Sequence, residues 1–306
     1  LREPSTLSRP DAVAFAYDEA FSRNLGWVTA DEQKALRNKR VAIAGLGGVG
    51  GVHLLTLARL GIGAANIADF DTFGLVNFNR QSGATMSTLG VPKIDVLANM
   101  ARDINPQIDL KLFPQGVSSS NLAAFFDGVD VYVDGLDFFA FDARERTFAA
   151  SHAAGVPATT VAPLGMGAAL LNFLPGKMSF EQYFRLEGLT ETEKAVRFLL
   201  GLSPAMLQRR YLADRSYVDL ANHKGPSTVM ACQLCAGVAA TEVLKILLKR
   251  GKVYAAPVSL QFDAYRNRLK RTWRPGGNRN PIQRIAIAIA RRQLAAMGRE
   301  PAEPVS

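Results

Sequence analysis

The feature that most limits what this chain can be is Gly45-Leu46-Gly47-Gly48-Val49-Gly50, between the apolar run Val41–Ala44 and an apolar helical stretch from about Val52 to Leu60. Glycines at this spacing permit a tight turn and let the backbone approach a phosphate, which the following helix N-terminus stabilises. Asp69 stands nineteen residues past Gly50, at the end of a second strand expected over Ala64–Ala68. A carboxylate there accepts hydrogen bonds from ribose hydroxyls. The motif alone leaves ATP, NAD and FAD open, since all carry a ribose and phosphates. A glycine-rich turn with no ligand is the bland alternative.

The alternation continues through a helix over Lys93–Ile104, closed by Asn105-Pro106, and strands over Ile108–Phe113, Val129–Val133, Ala158–Val161 and Ala168–Leu174. The expected fold is α/β: a doubly wound, Rossmann-like, mostly parallel sheet with a helical insertion and a basic C-terminal helical extension. At about 150 residues per domain, 306 residues make one large domain or two modest ones. The boundaries expected are an N-terminal arm with helices over 1–40 and a nucleotide-binding domain over 41–177. A substrate-facing segment over 178–273 holds a charged helix over Glu191–Leu200, an apolar helix from about Val229 to Leu248, and closing strands Val258–Phe262 and Arg268–Trp273. A linker, Pro275-Gly276-Gly277, and a basic amphipathic tail occupy 274–306, with Ile282, Ile285 and Ile289 on one side of a helix over Pro281–Met297.

The net charge of +9 is local: Arg266 to Arg299 holds ten Lys or Arg and no acid, so the rest of the chain is nearly neutral. Such a tail can neutralise RNA phosphates, an acidic protein or a membrane surface. The alternative is a solvated helix packed on a dimer partner by its isoleucines. Trp273 is the sole aromatic among these arginines apart from the body, which weakens a single-stranded RNA reading. Two cysteines, Cys232 and Cys235, cannot build a disulfide framework or a complete tetrahedral zinc site. On a helix they read as small buried residues, with a metal half-site completed by a dimer mate or by His223, or a redox pair, as lesser alternatives. His53 and His152 read as packing residues, and His223, in a polar stretch beside Lys224, is a candidate to face substrate. Phe148–Gly176 lacks Asp, Glu, Lys and Arg but contains His152, three prolines and several glycines, so buried strands are expected rather than a membrane span. Leu1–Asp11 mixes charge and proline and shows no signal-peptide pattern. A globular, cytoplasmic protein is expected.

Asp69-Phe70-Asp71 is followed by Asn77-Phe78-Asn79-Arg80-Gln81 and by Pro92-Lys93. NAD rarely needs an Arg and a Lys together. A triphosphate attacked at its α-phosphorus does, because charge builds on the departing pyrophosphate. A solvated polar loop is the alternative. Further on, Val131-Tyr132-Val133-Asp134-Gly135-Leu136-Asp137 places a carboxylate just past the end of a strand, fit to hold Mg²⁺ or to cap the next helix.

Taken in order, these motifs resemble the ThiF/MoeB/HesA family of adenylating enzymes, relatives of ubiquitin-activating enzymes. The likeness covers about Phe21 to Gly176, with a weaker echo in Val229–Leu248. It implies a homodimeric, ATP- and Mg²⁺-dependent adenylyltransferase acting on a carboxylate, usually the C-terminus of a small modifier protein or a peptide, and makes 41–177 an adenylation domain. By the same resemblance Gly45, Gly47, Gly48 and Gly50 form the phosphate loop and Asp69 holds the ribose. Asn77, Arg80 and Lys93 contact phosphates, Asp71 and Gln81 complete the nucleotide set, and Asp137 holds Mg²⁺. Arg23 matches an arginine the family inserts into its partner's site. This sequence departs in three places. Phe138 follows Asp137 where the family often has Asn or Ser. One Cys-x-x-Cys stands where zinc-holding members have two, so no structural zinc is expected. No cysteine lies between Asp137 and Met230, so no thioester relay is expected. The rivals are activation of a tRNA base's carboxyl group, modification of a ribosomal peptide, an NAD-dependent oxidoreductase, and a noncatalytic binding module.

Overall fold

The computed structural model describes residues 14–220, 222–223 and 225–296. Leu1–Asp11, Lys224 and the stretch from Met297 onward, with Arg299, lie outside them. Among the described residues, eight strands, β1 (Arg40–Ala44), β2 (Ala64–Ala68), β3 (Asp109–Phe113), β4 (Val131–Asp134), β5 (Ala158–Leu164), β6 (Gly167–Phe173), β7 (Val258–Asp263) and β8 (Arg268–Trp273), make one sheet in the order β3-β2-β1-β4-β5-β6-β7-β8. Strands β1 to β5 are parallel, and β6, β7 and β8 add on antiparallel. The order reverses at β1, with β2 on one side and β4 on the other. That is the crevice at strand carboxyl ends where open α/β sheets bind ligands.

Among the described residues, ten α-helices connect and cover the strands: α1 (Tyr17–Ala20), α2 (Ala30–Arg37), α3 (Gly50–Leu60), α4 (Lys93–Ile104), α5 (Leu122–Phe126), α6 (Phe141–Ala153), α7 (Phe180–Phe184), α8 (Glu191–Leu202), α9 (Val229–Leu247) and α10 (Pro281–Ala296). The period-two pleat explains why the central strands read as continuous apolar runs. Val41, Ile43, Val131 and Val133 enter the core beneath α3, α4 and α9. Ala42, Ala44 and Tyr132 enter a separate core on the other face, rich in phenylalanine.

Helix α9, at 19 residues, is long and apolar enough, by length and composition, to cross a membrane. In this fold its Ala231, Cys232, Cys235, Ala239 and Val243 are buried, and the helix packs on α3, β5 and β6. It is a core helix. The two cysteines are free and buried in that packing.

One expectation is corrected: His152 is exposed rather than packed. In α10, Ile282, Ile285 and Ile289 are all exposed, while Ile287 is buried against Val196 and Leu200 of α8. The docked face is set by α8, where Glu193 receives Arg291 Nε at 2.7 Å, and the outward stripe is left over.

Candidate nucleotide site

The glycine loop is shaped by close backbone approach. Gly45 has φ +81° and donates its N–H to Ala68 O at 2.8 Å, while Gly135 donates to Ala44 O at 2.9 Å. A Cβ on Gly50 would lie 1.7 Å from Gly45 O, and one on Gly45 would lie 2.4 Å from Gly135 O. These two glycines are demanded by the fold. Gly47 is different: a Cβ there meets only Gln81 Nε2, at 3.8 Å. Nothing in the packing requires glycine at 47, which leaves room over the N-terminus of α3 for a ligand.

Side chains from the β2–α4 connection surround that space. Asp69 is buried and accepts Leu46 N–H at 2.6 Å and Asp71 N–H at 2.8 Å. Burial pushes its carboxyl above the usual range, opposed by those two backbone donors. It therefore holds the glycine loop against β2. Arg80 lies across Gly48, its Cδ 3.5 Å from where a Cβ would sit, and its Nη1 donates to Val76 O and Asn79 Oδ1. Gln81 is buried beside Gly47, and its Oε1 has no hydrogen-bond partner. A buried polar atom without a partner marks a place where water or ligand is expected. Lys93, at the first turn of α4, is buried and pairs with Asp71 Oδ2 at 2.9 Å. Asn77 accepts Gly74 N–H at 2.9 Å, so its carbonyl holds its own turn.

Asp137 sits on the neighbouring β4–α6 loop and is exposed. Its Oδ1 accepts Phe139 N–H at 3.0 Å, a turn rather than a helix cap, because Ala140 occupies the cap of α6. A network that sequence reasoning missed holds the loop. Arg144 donates Nε to Asp134 Oδ2 at 2.9 Å and Nη2 to the carbonyls of Leu136 and Asp137, both at 2.8 Å. Thr160 Oγ1 donates to the same Asp134 oxygen at 2.8 Å. Arg144 is nearly fully buried, yet in sequence it sits in Asp142-Ala143-Arg144-Glu145-Arg146 and reads as a surface charge. Phe138 turns into the apolar core against Phe198 of α8, at 5.2 Å between ring centroids. Phe139 stacks on His223 at 4.6 Å.

Cys232 also reaches the site, since a Cβ on Gly48 would lie 3.1 Å from its Sγ. Burial pushes the Cys232 thiol up, opposed by Ser227 and Arg80. Arg23 is not brought to the loop of its own chain. Asn24 beside it donates to Leu60 O at 3.3 Å, at the far end of α3. Eleven residues of helix put about 16 Å between the two ends.

The family comparison decides how this geometry is to be understood. The ThiF family pattern matches residues 21–283. The chain belongs to the ThiF family. Among ThiF relatives, the tRNA threonylcarbamoyladenosine dehydratase of Bacillus subtilis is 36% identical over 118 residues, 38% of this chain and 46% of that protein. The molybdopterin-synthase adenylyltransferase of Escherichia coli is 35% identical over 136 residues, 44% and 54% of the two chains. The chain thus spans about half the length of the curated ThiF relatives it matches. Among solved structures, E. coli MccB with MccA-N7isoASN superposes with a TM-score of 0.64 at 17% identity, covering 88% of this chain and 75% of that one. That likeness concerns the fold alone.

Proposed function

We propose that this ThiF-family chain is an ATP-dependent adenylyltransferase that activates a carboxylate of a protein or peptide as an acyl-adenylate, releasing pyrophosphate. The observation that carries the reading is Arg80 lying across Gly48, with the unpartnered Gln81 at Gly47. A cation and an amide at the helix N-terminus suit a triphosphate better than a pyrophosphate bridge. The name of the E. coli relative, an adenylyltransferase of a protein, supports the same class.

In this reading Gly45, Gly47, Gly48 and Gly50 cradle the phosphates and Asp69 binds the ribose. Gln81 and Arg80 contact the phosphates, and Lys93, paired with Asp71, adds charge at the edge, while Asn77 shapes the turn that presents Arg80. A carboxylate oxygen attacks the α-phosphorus and the bond to pyrophosphate breaks, with its negative charge taken up by Arg80 and Lys93. No side chain needs to remove a proton, because the attacking carboxylate is ionised at neutral pH. Asp137 suits Mg²⁺ as an exposed carboxylate just past the carboxyl end of β4. Mg²⁺ commonly keeps its waters and takes one or two carboxylates plus substrate phosphates, and when bound it would shield the phosphate charge.

We further propose a homodimer in which Arg23 serves the partner's site. Exposed Leu75, Val76, Met86, Val229 and Met230 support this, since Asn79 joins their two segments through Ser227 O at 3.0 Å. The free thiols of Cys232 and Cys235 are in keeping with a reducing, cytoplasmic setting. A second reading, activation of a carboxyl group on a tRNA base, is favoured by the B. subtilis relative's name and by the basic C-terminal stretch.

Calorimetry with ATP and with NAD, each with Mg²⁺, tests the nucleotide reading on the intact chain and on Arg80→Ala. ATP-selective binding weakened about tenfold or more by the substitution is expected, the size of one charge-assisted hydrogen bond. NAD binding indifferent to Arg80→Ala would replace it with the oxidoreductase reading. Exchange of labelled pyrophosphate into ATP, dependent on the carboxylate, then tests the chemistry.

A further inference from the structure

Helices α8 and α10 and the turn before α10 enclose an open cleft of about 560 Å³, lined by Arg197, Asn278, Pro281, Arg284, Ile285, Ala288 and Arg291 together with the buried Ile287. Its size falls within the roughly 300–1,000 Å³ usual for ligand pockets. We infer that this cleft docks an extended acidic-apolar peptide segment, away from the adenylation centre. The inference rests on the proposed peptide or protein substrate.

The lining carries the chemistry of such a segment. Arg197 Nε donates to Glu193 at 2.9 Å and Arg291 Nε to the same carboxylate at 2.7 Å, so two guanidiniums share one negative charge. Arg284 has no ion pair among the described residues, and its side chain is exposed at the mouth. The cleft therefore keeps a surplus of positive charge, which suits a carboxylate. Asn278 is 4% exposed; its Nδ2 donates to Phe184 O at 2.7 Å and Arg197 O at 3.2 Å, and its Oδ1 has no partner. Half of the lining is aliphatic, and exposed Ile282 and Ile289 extend the apolar surface along α10. RNA would leave this area unused.

The cleft is also suitably placed. Phe198, on the same helix α8, packs against Phe138 and Phe141 beside Asp137, at 5.2 and 5.7 Å between ring centroids. One helix, about 10–12 Å across, separates the docking cleft from the loop of the adenylation site. A substrate held here by an internal acidic segment keeps its C-terminus free to reach the nucleotide.

The test uses the full chain and a fluorescein-labelled synthetic peptide of alternating leucine and glutamate, read by anisotropy. Saturable binding is expected, weakened about tenfold or more in Arg284→Glu and also reduced in Ile285→Ser. A leucine–lysine peptide should show the reverse preference, binding Arg284→Glu better than the native chain, a gain that misfolding does not mimic. No binding of the acidic peptide to the native chain, or binding indifferent to both substitutions, would overturn the inference. So would displacement of the peptide by a tRNA, which would make RNA the occupant. Tighter peptide binding on charge reversal of Glu300 and Glu303 would do so too, making the chain's own C-terminal residues the occupant. ATP binding to the native chain, measured separately, reports on the adenylation reading, so either result can fail alone.

Discussion

At the residue scale the glycine loop separates two kinds of glycine that look alike in sequence. Gly50 is held by the fold, because a Cβ would strike Gly45 O, while Gly47 faces open space. Gly50→Ala should therefore lower the melting temperature and abolish ATP binding together. Gly47→Ala should leave the melting temperature within a degree or two of the native value and weaken ATP alone. Thermal melts beside calorimetry separate the two. Arg144 makes the opposite case, a charge that is structural. Arg144→Met leaves Asp134 buried with Thr160 and no cation, and breaking such a pair costs about 3–5 kcal/mol. Urea denaturation should show a loss of that order. A loss below about 1 kcal/mol would mean the network is not what fixes the β4–α6 loop.

At the element scale, α8 is held between two salt-bridge systems. Lys194 ties it to α6 through Asp142 at 2.8 Å and Glu145 at 3.1 Å, and Glu193 ties it to α10 through Arg291. Burial raises the pKa of Glu193, but hydrogen bonds from Arg291 and Arg197 outweigh it, so the carboxyl titrates below its ordinary range. A lowered acid pKa gives stability that is present above the unfolded value, near 4.5, and lost as pH falls through the folded value. Hydrogen exchange, corrected for intrinsic rates, should show α10 losing protection ahead of α9 as pH falls from 5 through that window. Glu193→Gln should reproduce the loss at neutral pH, with a cost of about 1–3 kcal/mol. Equal behaviour of α9 and α10 would show that the ion pair does not hold the helix.

At the scale of the whole molecule, the distance between Arg23 and the glycine loop of its own chain makes a strong prediction about assembly. If Arg23 acts across a dimer, Arg23→Ala and Asp137→Asn should each abolish pyrophosphate exchange, yet mixing the two should restore it. A hybrid dimer carries one site with both groups intact, so random exchange of subunits should return about a quarter of the native rate. No recovery, with mixing confirmed by sedimentation, would place Arg23 outside the site. The exposed patch around Val76 and Met86 gives a second handle, as Val76→Glu should shift the chain toward monomer.

The glycine-loop half of the sheet was legible in the chain. Strand, glycine loop, helix and acid are local signals: the turn at Gly45, the helix that follows and the spacing to Asp69 are written in contiguous residues. The parallel order of β1 to β5 follows from the alternation of apolar runs and helices. The rest was set by packing between residues far apart in the chain. Arg144 becomes a buried keystone because Asp134 and Thr160 arrive from neighbouring strands. Phe138, the departure beside Asp137, is accommodated because Phe198 of α8 comes to meet it. The isoleucines of α10 are alike in periodicity, and α8, through Glu193 and Val196, selects Ile287 to bury and leaves Ile285 lining a basic cleft. A helical period states that a face is apolar; which face is covered is set by the partner that packs against it.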